Sequence, residues 1–171
     1  MSEATTATTT VDQMFAAYLA AVREHLTGQK ERMREVVQGM SADGLNWHPP
    51  AEGETNSIAA MFAHLLESER FLLSAAVGID VVRSREEQFE TVVASADELL
   101  ALMNGRISEN EGYLAQLRPE HLAIESTRGP AHRRRTGTGA WFVAHAVEHG
   151  TEHLGHASLT RQMWEAQTRA S

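Results

Sequence analysis

The sequence predicts an all-α protein built as a single four-helix bundle. Four amphipathic segments of similar length follow one another, and no stretch shows the apolar-polar alternation of a β-strand. The length of 171 residues suits one domain with one core. Cysteine is absent from the sequence, which excludes a disulfide framework, a protein thiolate nucleophile and a cysteine-bearing zinc site.

The four helices are predicted from apolar residues that recur at helical spacing. They cover residues 11 to about 40, residues 55–57 to about 77, residues 95 to about 117, and residues 138 to about 163 or beyond. The Thr- and Ala-rich residues 1–9 carry almost nothing to bury, so we expect a disordered tail there and a domain over residues 10–171.

The predicted connections differ in composition. Residues 41–50 should be irregular because Pro49 and Pro50 disfavour helix in the residue before each. Residues 78–90 have no steady period and predict a long connection with a short helical turn. Residues 119–139 are rich in Gly, Thr, Pro and Arg, which favours a loop or small hairpin over the bundle.

Charge and hydropathy limit the expected partners. With 15 Lys+Arg against 23 Asp+Glu the formal net charge is -8, so we expect no general attraction to phosphate backbones and no nucleic-acid partner. The start, MSEATTATTT, has neither a basic nor an apolar stretch, and no window approaches the roughly 20 apolar residues of a membrane span. A cytoplasmic protein that does not bind a membrane is expected.

Histidines in the last helix are the most informative feature. Four of the nine histidines fall within residues 145–156, and at about 100° per residue they share an arc of roughly 80°. Phe142 and Met163 extend this arc, which predicts that it faces inward. Neutral imidazole binds a divalent metal through one ring nitrogen, so the i, i+4 pair His149 and His153 can place two ligands on one ion.

A third ligand must come from another helix, and His64 in the middle of the second helix is the candidate. His145 and His156 are predicted to support the ligands by hydrogen bonds and not to bind the metal themselves. The competing interpretation is that His149 and His153 are ordinary helix histidines on a partly solvated face.

Four sequence features together resemble the DinB/YfiT superfamily of metal-dependent enzymes. They are Asn46-Trp47-His48-Pro49, Ser57-Ile58-Ala59, His64, and the run from His149 to His156. The resemblance implies an up-down-down-up bundle with a long second connection, a metal on His64, His149 and His153, and subunits that often form homodimers. One departure is the final motif, often His-His-Arg-Gly-Gln in the family and Glu152-His153-Leu154-Gly155-His156 here.

Three imidazoles leave at least one position on the ion open, as in catalytic sites, and such an ion can activate water or a thiol. The carboxylates nearest in sequence to the proposed ligands are Glu67, Glu148 and Glu152. Of these, Glu152 is the predicted catalytic residue, either as a general base or as a group that orients an imidazole. Zinc or nickel is the expected metal, although iron, cobalt and manganese also accept imidazole.

The predicted function is that of a metal-dependent enzyme acting on a small molecule. Two reactions remain open, hydrolysis and transfer of a low-molecular-weight thiol. The second follows from the resemblance, because the DinB/YfiT superfamily includes thiol S-transferases and a mycothiol-dependent maleylpyruvate isomerase. The thiol substrate would be mycothiol or a bacillithiol-like compound. The alternatives are a non-catalytic, metal-dependent protein that binds a small ligand in a stress response, and a bundle that only self-associates. Arg128 with Arg133, Arg134 and Arg135 forms either an anion site at the pocket mouth or a solvated loop.

Overall fold

The computed structural model describes residues 2–50 and 54–170, with side chains from residue 10 onward. The helices are α1 (Ser2–Val37), α2 (Ala42–Asn46), α3 (Ile58–Ala76), α4 (Arg85–Phe89), α5 (Ala96–Gln116) and α6 (Gly139–Ala170). Two short antiparallel strands, β1 (Glu125–Arg128) and β2 (Arg135–Thr138), form a hairpin before α6. The predicted all-α class is confirmed, and so is the small hairpin.

Serine side chains define where the two middle helices begin. The Ser57 hydroxyl accepts a hydrogen bond from the Ala60 amide at 3.2 Å, and the Ser95 hydroxyl accepts one from the Glu98 amide at 3.1 Å. Each bond satisfies one of the amides that a helix start leaves without a partner. The predicted starts and ends of α3 and α5 are therefore confirmed to within a residue or two.

Two segments differ from the prediction. The irregular stretch predicted for residues 41–50 was wrong for Ala42–Asn46, which form α2 with the Ser41 hydroxyl accepting from the Gly44 amide at 3.2 Å. The prolines at 49 and 50 restrict only the residues next to them, so the preceding turn is free to be helical. Residues 2–9 continue the backbone of α1. Extending a formed helix by one residue costs less free energy than nucleating a new helix. The domain boundary at residue 10 stays a prediction.

Two apolar clusters divide the core, and each long helix contributes to both. The first holds Met33, Val37, Phe62, Leu65, Leu99, Met103, Leu154 and Ala157; the second holds Val22, Leu26, Leu72, Leu73, Leu114, Phe142, Val143 and Ala146. The second halves of α1 and α6 thus meet the first halves of α3 and α5. Consequently α1 and α6 run in one direction and α3 and α5 in the other, which is the up-down-down-up order. Residues 77–95, which include α4, form the long connection.

A layer of buried polar side chains separates the two clusters. Lys30 on α1 and Glu69 on α3 form an ion pair at 2.8 Å with side-chain exposures of 7% and 2%. Asn110 on α5 donates to the Leu66 carbonyl at 3.1 Å. Buried polar groups need such partners, so this layer sets the register in which the helices meet.

No helix within the part of the chain that the structure describes combines the length and apolarity needed to cross a lipid bilayer.

Candidate metal centre

Three histidines from two helices meet beside the polar layer. His64 projects from α3, and His149 and His153 project from successive turns of α6. The ring centroids lie 5.2 Å apart for His64 and His149, 5.1 Å for His64 and His153, and 4.4 Å for His149 and His153. One ligand nitrogen from each ring falls within 4.8 Å of the other two, so the three could hold a metal ion.

Close packing of α6 against α1 holds the two α6 histidines in place. Gly150, next to His149, lets Gln29 of α1 approach so closely that a Cβ at this position would overlap the Gln29 amide. Gln29 donates to the Val147 carbonyl at 2.8 Å and to the Thr151 hydroxyl at 2.9 Å. The His149-Gly150-Thr151-Glu152-His153 stretch is thereby fixed from its opposite side.

Burial keeps the three imidazoles neutral at physiological pH. Burial, followed by the charge of Arg83, lowers the pKa of His64 from 6.5 to about 3. Burial and the neighbouring ring of His153 likewise lower the pKa of His149 to about 3, and burial lowers the pKa of His153. Neutral imidazole is the form that binds a metal, so these ligands need not lose a proton near neutral pH.

The ring of His64 is oriented by the connection after α3. Its Nδ1 lies 3.1 Å from the Gln88 amide oxygen, and the ring stacks on Phe89 with centroids 4.5 Å apart. An Nδ1–H that donates to Gln88 leaves Nε2 with its lone pair, as is usual for a histidine ligand. Nδ1 of His153 is buried and lacks a hydrogen-bond partner among the described residues, so no hydrogen bond at that nitrogen orients the ring.

The donor set fits a divalent ion with an open position. The two Nε2 atoms of His149 and His153 are 3.2 Å apart, close to the roughly 3.3 Å that separates two nitrogens on a tetrahedral zinc ion. Three neutral nitrogen ligands suit zinc or nickel and leave room for at least one further ligand.

The comparisons with known proteins concern the family and the fold. Residues 25–157 match the model of the DinB superfamily. The chain belongs to the DinB superfamily. A solved structure of a conserved protein from Enterococcus faecalis is similar with a TM-score of 0.68 at 18% identity, covering 86% of this chain and 96% of that one, which concerns the fold alone. No curated protein matches this chain.

The outer histidines of this DinB protein are not part of the triad. His145 pairs with Glu148 at 3.1 Å and stacks on Trp141 with centroids 4.8 Å apart, whereas His156 is exposed at the edge of the His153 ring. The prediction of an inward-facing arc was wrong at its end, because His156 and Met163 are exposed. The core contacts this part of α6 through the neighbouring face that carries Ala157 and Trp164, so the face of His156 and Met163 turns toward solvent.

Of the three candidate carboxylates, two are engaged elsewhere. Glu67 forms ion pairs with Arg70 at 3.0 Å and with Arg106 at 2.5 Å, and Glu148 pairs with His145 as described. Glu152 is exposed on α6, and its charge acts to raise the pKa of His153 against the larger effect of burial. The catalytic role of Glu152 stays a prediction.

An open cleft of about 1390 Å³ leads to His64 and His149. Ser68 and Arg83 line it close to the histidines: Ser68 Oγ is 3.4 Å from His64 Nε2, and Arg83 Nη2 is 3.2 Å from His64 Nδ1 and 3.1 Å from the Gln88 oxygen. Ser68, Arg83 and Gln88 were not predicted from the sequence as site residues. The spacing of Ser68, one helical turn after His64, is a signal that could have found it; Arg83 and Gln88 lie in the aperiodic connection and carry none.

Proposed function

We propose that this protein is a divalent-metal-dependent enzyme that acts on a small molecule, by hydrolysis or by transfer of a low-molecular-weight thiol to an electrophile. The metal ligands are His64, His149 and His153. The observation that carries the proposal is the convergence of three neutral imidazoles, two of which, His64 and His149, line an open cleft large enough for a small molecule. Membership of the DinB superfamily supports it.

The chain's own residues would bind and orient the reactants. A divalent ion, when bound, supplies a Lewis acid that lowers the pKa of a water or thiol ligand toward neutrality. The Gln88 amide holds the His64 ring with Nε2 available, and the Arg83 guanidinium places a positive charge where an anionic reactant could pair with it. The protein has no cysteine, so any thiol must enter as a substrate, as mycothiol or bacillithiol would.

Metal content tests the site directly. Protein purified without chelator should carry about one zinc or nickel ion per chain by elemental analysis, as expected for a three-histidine site. His64→Ala and His149→Ala should lose most of that metal, and His25→Ala, which removes an exposed histidine on α1, should retain it. Wild-type protein with far less than one ion per chain, together with an unchanged His64→Ala variant, would leave self-association as the better account.

Turnover decides between the chemical alternatives. The metal-loaded protein is incubated with an electrophile in the presence of water alone, mycothiol or bacillithiol, and the products are followed by mass spectrometry. Absence of turnover with every thiol would remove the transferase proposal. Absence of turnover with water as well, combined with saturable ligand binding, would favour the non-catalytic binding protein.

Glu152 is proposed as the general base or as a group that orients His153. Glu152→Gln should lower turnover while leaving the metal content at the wild-type level, because the carboxylate is exposed and the three ligands remain. Glu148→Gln on the same helix is the matched control. Equal activity of the wild type and Glu152→Gln would remove this role. Homodimerisation in the cytoplasm stays a prediction, which sedimentation of the purified protein can test for the oligomeric state.

A further inference from the structure

Arginines are concentrated along the cleft that leads to the histidines. Six arginines line it against two carboxylates, although the whole chain has a formal net charge of -8. The arginines are Arg83, Arg85, Arg128, Arg133, Arg134 and Arg135; the carboxylates are Asp80 and Glu86. The positive charge is therefore a local property of this cleft and not of the protein surface as a whole.

The β1–β2 hairpin holds like charges in an unfavourable arrangement. Arg128 on β1 lies directly opposite Arg135 on β2, and like charges at opposed strand positions destabilise a hairpin. Arg128 has Asp80 as a partner at 3.3 Å, but Arg133, Arg134 and Arg135 form no ion pair within the described part of the chain. An anion held between the strands and the turn would offset this repulsion.

Arg83 extends the same positive region down to the histidines. It forms no ion pair with any described residue, although the charge of Glu67 favours its cationic form and nearby arginines oppose it. A guanidinium keeps its charge at neutral pH. Cationic side chains therefore line the cleft from the histidine end to the hairpin.

Apolar side chains also line the cleft, and Phe71 among them lies near both Arg83 and the hairpin turn at Gly129. Phe71 and Leu72 of α3, Val82 of the connection and Pro130 of the hairpin turn all line it. Ligand sites commonly combine such apolar surface with a few polar groups that fix the orientation of the ligand. A molecule with an anionic group at one end and an apolar or neutral middle matches this lining.

We propose that the cleft binds a small organic anion whose carboxylate or phosphate groups contact Arg133, Arg134 and Arg135 and whose opposite end faces the three histidines. The anion site is inferred from the arginines of the hairpin and does not depend on the proposed function. Only the role of the histidine end of the cleft rests on that function. The arginines line a cleft beside the histidines in a chain whose formal net charge is -8, which favours a small anion over an extended nucleic acid.

Calorimetric titration of the full chain, freed of metal by chelator, tests the site independently of the metal centre. Inorganic phosphate and succinate are the two probes, with neutral succinamide as the uncharged analogue, all at constant ionic strength. We expect saturable binding of phosphate, succinate or both, and none of succinamide. Whichever of phosphate and succinate binds with the higher affinity indicates whether the ligand carries a phosphate or a carboxylate group.

Matched double variants locate the site. Arg133→Gln/Arg134→Gln should weaken binding of the charged probe by about tenfold or more, because two charge-assisted contacts are lost. Arg23→Gln/Arg32→Gln removes the same charge from the exposed face of α1 and should leave affinity within about twofold. Thermal unfolding of both variants checks their fold, and Arg133→Lys/Arg134→Lys, which keeps the charge, should retain more binding than the glutamine variant.

Three outcomes would overturn the proposal. They are no binding of either anion to the wild type, equal weakening in both glutamine double variants, and tighter binding of a single-stranded oligonucleotide that displaces the probe. If anion binding fails while the protein carries one metal per chain, the metal centre stands without the anion site. If anion binding is localised to the hairpin and no metal is found, the reverse holds.

Discussion

The buried imidazole of His64 predicts a specific loss of stability in acid. Burial lowers the pKa of His64 from 6.5 to about 3, so the unfolded chain takes up a proton at higher pH than the folded one. Above pH 6.5 the ring is neutral in both states and no stability depends on it. Stability is lost progressively as the pH falls from 6.5 toward about 3, because protonation then favours the unfolded chain.

The magnitude follows from the two pKa values of His64. Each pH unit between them corresponds to about 1.36 kcal/mol for one proton. A pH of about 5 lies roughly 1.5 units below the unfolded value, so His64 alone should cost about 2 kcal/mol there. His64→Gln removes the titrating group, and the variant should lose about 2 kcal/mol less than the wild type between neutral pH and about pH 5.

Urea unfolding followed by circular dichroism, in the presence of chelator, measures this difference at the two pH values. His149 titrates in the same direction and remains in the variant, so the variant keeps part of the acid sensitivity. His25→Gln, at an exposed position on α1, should behave as the wild type does. An identical loss of unfolding free energy in wild type and His64→Gln would refute the reasoning, whatever the stability of the variant at neutral pH.

Three further substitutions test the packing that supports the site. Lys30→Met should cost about 3–5 kcal/mol in urea unfolding because Glu69, 2% exposed, loses its counter-charge, and Lys30→Met/Glu69→Leu should recover most of it. Gly139→Ala should lower the free energy of unfolding by about 1–3 kcal/mol, because the added Cβ would overlap the backbone carbonyl of His121. Ser57→Ala removes the cap of α3 and should cost about 1 kcal/mol in thermal unfolding.

Each of these predictions has an outcome that contradicts it. A Lys30→Met protein as stable as the double variant would mean that the Glu69 charge is not isolated by burial. Wild-type stability of Gly139→Ala would mean that the start of α6 has room for a side chain. A Ser57→Ala cost no larger than that of an exposed serine would mean that the hydroxyl does not act as a cap.

Local signals in the sequence were enough for the four long helices and for the three candidate histidines. Ser57 and Ser95 mark helix starts because a hydroxyl that accepts a backbone amide acts within one turn of itself. The i, i+4 spacing of His149 and His153 places both rings on one side of α6 wherever that helix packs. The position of His64 on a predicted bundle helix completed the candidate set, and the structure brings all three together.

Contacts between distant segments were decided only in three dimensions. Gln88 and Arg83 reach His64 from a connection without periodicity, and the arginines of the hairpin line the cleft because the chain folds back over the bundle. The exposure of Met163 depends on which face of α6 the other helices cover, and that face carries Ala157 and Trp164. A periodic pattern specifies which face of a helix is apolar, but the partner of that face, and the loops that close over it, depend on packing among elements far apart in the chain.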